Sequence, residues 1–246
     1  MNLNDIIYFY PAIILSFFPI SAMAENTSKD DSLNNSNVSV QTGWESRYVT
    51  EGRDNLDTKN LQSASIDVQY GYFGILIWNG WGYDSDYDEL NIIPFISYDK
   101  NGLSIYFSYN RKQFFLSDQS DNEIGSGISY HGLPHDIFLN VDWYHSFELE
   151  GSFFEFSIGT EMEPVNELSL ETLFIFGIND NYISDGHNGA NHISFQLNGE
   201  YPLKKRINLL GYMRYNVALD SNPKKFAGDE LLKDFFWAGV GISISF

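Results

Sequence analysis

The chain closes on "FFWAGVGISISF", residues 235–246. Read backwards from Phe246, the even positions are Ile244, Ile242, Val240, Ala238 and Phe236, while Ser245, Ser243, Gly241 and Gly239 fill the gaps. Successive side chains of a strand point to opposite faces, so this is a strand with one apolar face. The ends of soluble domains are usually polar and poorly ordered. An apolar stripe that runs to the last residue instead points to a strand held in a sheet, its apolar face turned to something other than water.

The pattern repeats along the chain. From Val38 onward no segment keeps a helical period, and alternating segments follow one another near residues 38–49, 62–70, 73–81, 89–98, 103–113, 122–130, 136–145, 151–160, 167–177, 190–201, 206–218 and 234–246. Each is close to the roughly 9–11 residues that a tilted strand needs to cross a bilayer. The connections alternate too. "GY" at 71, "DKNG" at 99, "HGLPH" at 131, "EMEPVNE" at 161 and "PLKKR" at 202 are short, with Gly, Pro and Asn in turn-making places. "TEGRDNLDTKNLQ", "GYDSDYDE", "FLSDQSDN", "INDNYISDGHNGA" and "DSNPKKFAGDELLKD" are longer and polar; "SFELEG" is the brief exception. Short turns at one end and longer loops at the other predict an all-β, transmembrane, antiparallel up-and-down barrel of about 12 strands, with both termini periplasmic.

The two faces define the surroundings. One carries Val38, Val40, Trp44, Ile66, Val68, Ile105, Phe107, Leu139, Val141, Phe156, Ile158, Ile193, Phe195, Leu209 and Met213, without a charge; the other carries mostly Ser, Asn, Gln and charged residues. Twelve strands enclose a lumen too wide for one face of side chains to fill, so the apolar face is expected outside. Aromatic residues at strand ends (Trp44, Tyr48, Tyr70, Tyr72, Trp81, Tyr98, Tyr109, Tyr130, Trp143, Tyr201) are expected to form the interfacial girdles. Leu76, Trp78, Ile93 and Phe95 fall on the inner parity, and Pro94 removes a ladder bond, which predicts a bulge or an apolar patch in the lumen there.

Composition narrows the partners. The 246 residues hold 14 Lys+Arg against 33 Asp+Glu, a formal charge of −19, which disfavours nucleic acid. With no cysteine there is no disulfide, thiolate metal site, cysteine nucleophile or lipidated N-terminal Cys. Residues 1–24 read as a signal peptide, with an apolar run from Ile6 to Ile20 followed by Ala22-Met23-Ala24. Residues 25–37 read as a disordered lead-in and 38–246 as the barrel. The expected location is the cell outer membrane, and the expected partners are its lipid and lipopolysaccharide and the outer-membrane assembly machinery, for which Phe246, Ile244, Ile242 and Val240 form the signal.

The candidate functional residues are the inner-face charges: the acids Glu45, Asp67, Glu123, Asp142, Glu155, Glu171 and Glu200 against the bases Arg47, Lys112 and Arg214. Some must pair, and the excess of acid predicts a passive channel for small cations or neutral solutes. The alternative is a closed structural or surface-interaction barrel. A lipid-modifying enzyme would need the "HIS" stretch, with His192 and Ser194 on one face, to act as a base and nucleophile. The pair faces the lumen with no orienting acid or amide placed by the sequence, so no enzyme and no cofactor is expected. Asp84, Asp86, Asp88 and Glu89 supply hard oxygen ligands in one loop, but without the Gly and distal Glu of a dedicated calcium loop. No dedicated metal site is expected.

In "GWESRYVTEG" (43–52), "YDELNIIPFISY" (87–98) and the terminal Phe246, the chain resembles a family of small Gram-negative outer-membrane barrels described as porins. The family leaves its first strand through S-x-Y-x-x-x-G, matched by Ser46, Tyr48 and Gly52. It starts a later strand with an acid, an aliphatic residue and Asp or Asn, matched by Glu89, Leu90 and Asn91. Before that Gly the family often has Arg, and this chain has Glu51. The resemblance implies a porin-type barrel and names no substrate.

Overall fold

A computed structural model describes residues 36–165 and 167–246. The expected signal peptide and most of the lead-in lie outside the described residues. Strand β1 (Ser36–Glu45) is followed by a small hairpin of β2 (Val49–Thr50) and β3 (Arg53–Asp54). Then come β4 (Leu61–Tyr70), β5 (Phe73–Gly82), β6 (Asp88–Lys100), β7 (Leu103–Phe114), β8 (Gln119–Tyr130), β9 (Ile137–Ser146), β10 (Gly151–Val165), β11 (Leu168–Asp180), β12 (Gly189–Lys204), β13 (Ile207–Ala218) and β14 (Phe235–Ser245). Every barrel pairing is antiparallel, and β1 closes the ring by pairing with both β4 and β14. The result is a closed barrel of twelve strands, with β2 and β3 apart as their own two-stranded sheet.

The alternation read from the sequence sets the two surfaces. Ile66, Phe107, Ile158, Phe195, Phe236 and Val240 are exposed on the outer wall. In water so continuous an apolar belt would be a liability; around a closed barrel it is the surface that a bilayer covers. In the last strand Ile242 lies opposite both Thr42 and Leu209, and Phe246 donates its backbone N–H to the Val38 carbonyl at 2.9 Å. The terminal aromatic therefore sits at the seam between the first and last strands.

On the inner wall, aromatic rings lie over glycines. Tyr106 pairs directly with Gly127, Phe138 with Gly159, Tyr212 with Gly239 and Phe95 with Gly74, and a Cβ on any of these glycines would meet the opposing ring at 2.2–2.4 Å. A ring that covers a glycine lies flat along the wall. These large side chains therefore do not have to cross the lumen.

Two differences from the sequence reading concern β1. It starts at Ser36, inside the stretch expected to be disordered, and ends at Glu45 rather than near residue 49. Tyr48 consequently leaves the wall: it is buried inside the barrel and is not a girdle residue. The irregularity expected around β5 and β6 is an apolar lumen patch and not a bulge. Leu76 and Ile93 point inward with Phe95 beside them, and the β6–β7 register is the same on both sides of Pro94.

Candidate functional site

The loop end, where β1 hands over to β4 and β13 to β14, is filled by the chain itself. The first long loop turns inward instead of outward, and Tyr48, Glu51, Arg53, Asp54, Asn55 and Leu56 are all buried. The wall supplies the reasons. Tyr48 stacks on Trp78 (6.2 Å between centroids), and Leu56, Leu61, Tyr87 and Phe114 complete an apolar cluster around them. Across the barrel, Tyr182 and Ile183 from the β11–β12 loop pack on Leu76, Ile93, Tyr144 and Phe153. The apolar patch on β5 and β6 is thus one wall of a plug.

Polar groups tie the plug loops together. Arg53, 2% exposed, donates Nε to the Gly228 carbonyl (3.0 Å) and Nη1 to Asn191 Oδ1 (2.8 Å), and its Nη2 lies 3.5 Å from Asp229 Oδ1. Asp229 also holds the His187 ring (2.9 Å to Nδ1) and accepts from the Asn222 N–H (2.9 Å). Burial alone would raise the Asp229 carboxyl, but these hydrogen bonds outweigh it and hold the group below the usual carboxylate range. Three loops, 46–60, 181–188 and 219–234, are joined at this one carboxylate.

Two local irregularities make the fit possible. The β11–β12 register shifts between Gly177 and Ile178, so Asn191 and His192 are both buried rather than pointing to opposite faces. Asn191 thereby reaches the plug, donating Nδ2 to the Glu51 carbonyl at 2.7 Å. His192 is clasped between two glycines: a Cβ on Gly52 would lie 2.6 Å from its Cγ, and one on Gly177 2.4 Å from its Cε1.

Other inner-face charges are less buried. Asp142 and Glu155 are directly paired on β9 and β10 and only half buried, as are Asp67, Tyr106, Tyr212 and Arg214. Glu155 lies against the plug, its Oε1 3.8 Å from His192 Nε2. Asp142 accepts from the Tyr106 hydroxyl (2.8 Å), and Gly127 leaves the space in which they meet. Arg214 lies over the rings of Tyr212 and Trp237, each at 5.7 Å.

The expected lumen charges therefore do not form one set. Lys112 and Glu123 are ion-paired, share the Tyr182 hydroxyl and are sealed within the plug. Arg47 does not lie on a strand face: beyond the end of β1 it pairs with Asp54 and sits over the Phe235 ring at 5.3 Å. Glu45 accepts from the Tyr212 hydroxyl (2.7 Å), Glu171 from Asn198 (2.6 Å) and Glu200 from Asn208 (2.6 Å). Asp67, Asp142 and Glu155 are half buried on the inner wall.

Other candidates separate as well. Ser194 donates to Asn216 Oδ1 (2.8 Å), whereas His192 Nδ1 meets Asn191 (2.9 Å), so the two do not form a base–nucleophile pair. Glu89 leaves the acidic loop and turns into the lumen to meet Tyr48 and Tyr87, away from exposed Asp84 and Asp86. Among the described residues no three His, Asp or Glu side chains converge to hold a metal. The plug residues Glu51, Arg53, Tyr182, His187 and Asp229 were not among the sequence candidates. The signal available was apolar: Leu56, Ile183 and Leu232 sit in otherwise polar loops and are buried.

No family model and no curated protein matches this chain. Solved structures do. The barrel is similar to the KdgM porin (TM-score 0.59, 10% identity, 85% of this chain and 99% of that one), of which a further structure is a complex with disordered oligogalacturonate. It is similar to the NanC porin (TM-score 0.56, 7% identity, 84% and 98%) and to the translocator domain of the autotransporter NalP from Neisseria meningitidis (TM-score 0.53, 11% identity, 92% and 91%). What the chain shares with them at these identities is the fold, a closed barrel of nearly the same extent.

Proposed function

We propose that this chain is a porin-type barrel of the Gram-negative outer membrane, its loop end outward and both termini periplasmic, that passes small cations or neutral solutes. The carrying observation is the direct pairing of Glu155 with Asp142 on the inner wall, both half buried. Two carboxylates side by side in a narrow polar tube lower the barrier for cations and raise it for anions. The likeness in fold to the KdgM and NanC porins supports the class. The solute differs from what the KdgM complex contains, because Asp142 and Glu155 would repel a polyanion such as oligogalacturonate. Lipopolysaccharide and the assembly machinery are the partners this reading implies, with Phe246 and the Ile244, Ile242, Val240 stripe as the assembly signal.

The inward first loop favours a second reading, a closed barrel that displays its outer loops. Recording the refolded protein in a planar bilayer under a salt gradient separates the two. Conductance steps with a cation-selective reversal potential support the channel; folded protein that never conducts supports the closed barrel.

A further inference from the structure

Glu51 sits at the tip of the plug hairpin, with φ 44°, next to Gly52 at φ 69°. Its backbone is well held: the Glu51 carbonyl accepts from Arg53 (3.2 Å) and Asn191 (2.7 Å), and the Gly52 carbonyl from Asn216 (3.0 Å). Its side chain is not. The residue is 4% exposed, and neither carboxylate oxygen has a hydrogen-bond partner of ordinary geometry.

The groups that face it come from every side. Lys112 on β7, Glu123 on β8 and Glu155 on β10 are the wall charges, with Thr50 and Arg53 in its own hairpin. The hydroxyls of Tyr87 and Tyr182 are near, and His192 lies against the neighbouring Gly52. Lys112 is engaged by Glu123 and Tyr182, and Arg53 by Asp229 and Asn191. An ionised Glu51 would thus be a buried charge with acids around it and the nearby bases already committed. A proton relieves that without needing room.

We propose that the first loop is a proton-latched gate, which stays in the lumen while Glu51 is protonated and withdraws when Glu51 ionises. The loop is fixed at its ends, where Ser46 N–H bonds the Ala238 carbonyl (2.9 Å) and Tyr83 N–H the Asn60 carbonyl (3.0 Å). Between them its polar contacts are ones that water can replace. Burial pushes the Glu51 carboxyl up from 4.5 to about 8; Lys112 and the Thr50 hydroxyl oppose this, and Glu123 and Glu155 add to it. In the withdrawn loop the carboxyl is in water and returns towards 4.5. The closed form therefore binds the extra proton, so its advantage is complete below about 4.5 and is lost as pH rises towards about 8. One proton limits the change in the open-to-closed ratio to about tenfold per pH unit.

The gate extends the channel reading but does not need it, because loop position can be read without conductance. The chain has no cysteine, so Asn55→Cys, at a buried plug position, and Lys59→Cys, at an exposed position of the same loop, can each be labelled with a small maleimide in the full-length folded barrel in lipid vesicles. Their ratio cancels the pH dependence of thiol reactivity. It should climb between pH 5 and 8, by up to about tenfold per unit, and stay low and flat when Glu51→Gln or Glu51→Ala is added; Asp118→Asn, on an exposed loop tip, should leave the climb intact. A flat ratio with Glu51 in place, or a climb that survives both Glu51 substitutions, overturns the gate. A climbing ratio in a barrel that never conducts keeps the gate and removes the channel.

Discussion

Tyr48 donates its hydroxyl to Glu89 Oε2 at 2.8 Å, so the root of the inward loop is bonded to the second residue of β6. The two stretches that carry the resemblance to porin barrels, one around Tyr48 and one around Glu89, are thus in contact. Tyr87 donates to the same carboxylate oxygen, and all three side chains are buried. Tyr48→Phe keeps the stacking on Trp78 and removes one donor to a buried acid, at a cost of about 1–3 kcal/mol. The expected outcome is faster maleimide labelling at Asn55→Cys, with the thermal midpoint of the barrel itself little changed. Unchanged labelling would show that the bond does not hold the plug.

Topology can be read on intact cells with an impermeant maleimide. Cysteines at Ser85, Asn188 and Ala227 should label, because their loops lie at the proposed outer end. Asn55, in the loop expected from sequence to face the exterior, is buried and should be protected at acidic pH. Lys204→Cys, at the turn end, should not label. The reverse pattern would turn the barrel over.

Selectivity should depend on the paired acids of β9 and β10. Neutralising Asp142 and Glu155 together, to Asn and Gln, should reduce the cation preference of conducting protein more than neutralising exposed Asp84 and Asp86. The preference should also weaken in concentrated salt, as the Debye length falls towards ~3 Å at 1 M. Equal effects of the two double variants in a reversal-potential measurement would place the filter elsewhere.

Assembly tests the parity of the last strand. Ile242 is exposed on the outer wall, whereas Ser243 faces inward. A lysine on the lipid face costs about 2–4 kcal/mol near the bilayer midplane. Ile242→Lys should therefore lower the yield of folded barrel in the membrane fraction, and Ser243→Lys should not. Equal yields would contradict the assignment of faces.

Parity was legible because it is local. The period of two in residues 235–246 placed Ile242 outside without reference to any other strand, and the same rule placed Asp142 and Glu155 inside. The direction of a polar loop is not local. Asp54 and Asn55 look like solvated loop residues, and they turn inward because Trp78, Tyr87 and Phe114 on other elements offer Tyr48 and Leu56 an apolar bed. Beside Leu56, Ile183 and Leu232 in polar loops, a trace of this in the sequence was the wrong-side parity of Leu76, Trp78, Ile93 and Phe95, residues that a water-filled tube would not need. Asn191 was hidden for another reason: the shift that turns it inward is a register irregularity against β11, invisible in β12 alone.

The plug closes the loop end of the barrel, and Glu155 on the inner wall lies against it, 3.8 Å from the His192 ring. A barrel gated at one end by its first loop has two ends that are kinetically unlike. A bulky organic cation offered from the turn end should be stopped against the plug, near Asp142 and Glu155, as a reversible blocker. From the loop end the same cation meets the closed plug first and has to wait for it to withdraw. Block from one side should follow concentration alone, and block from the other should also follow the rate at which the loop opens.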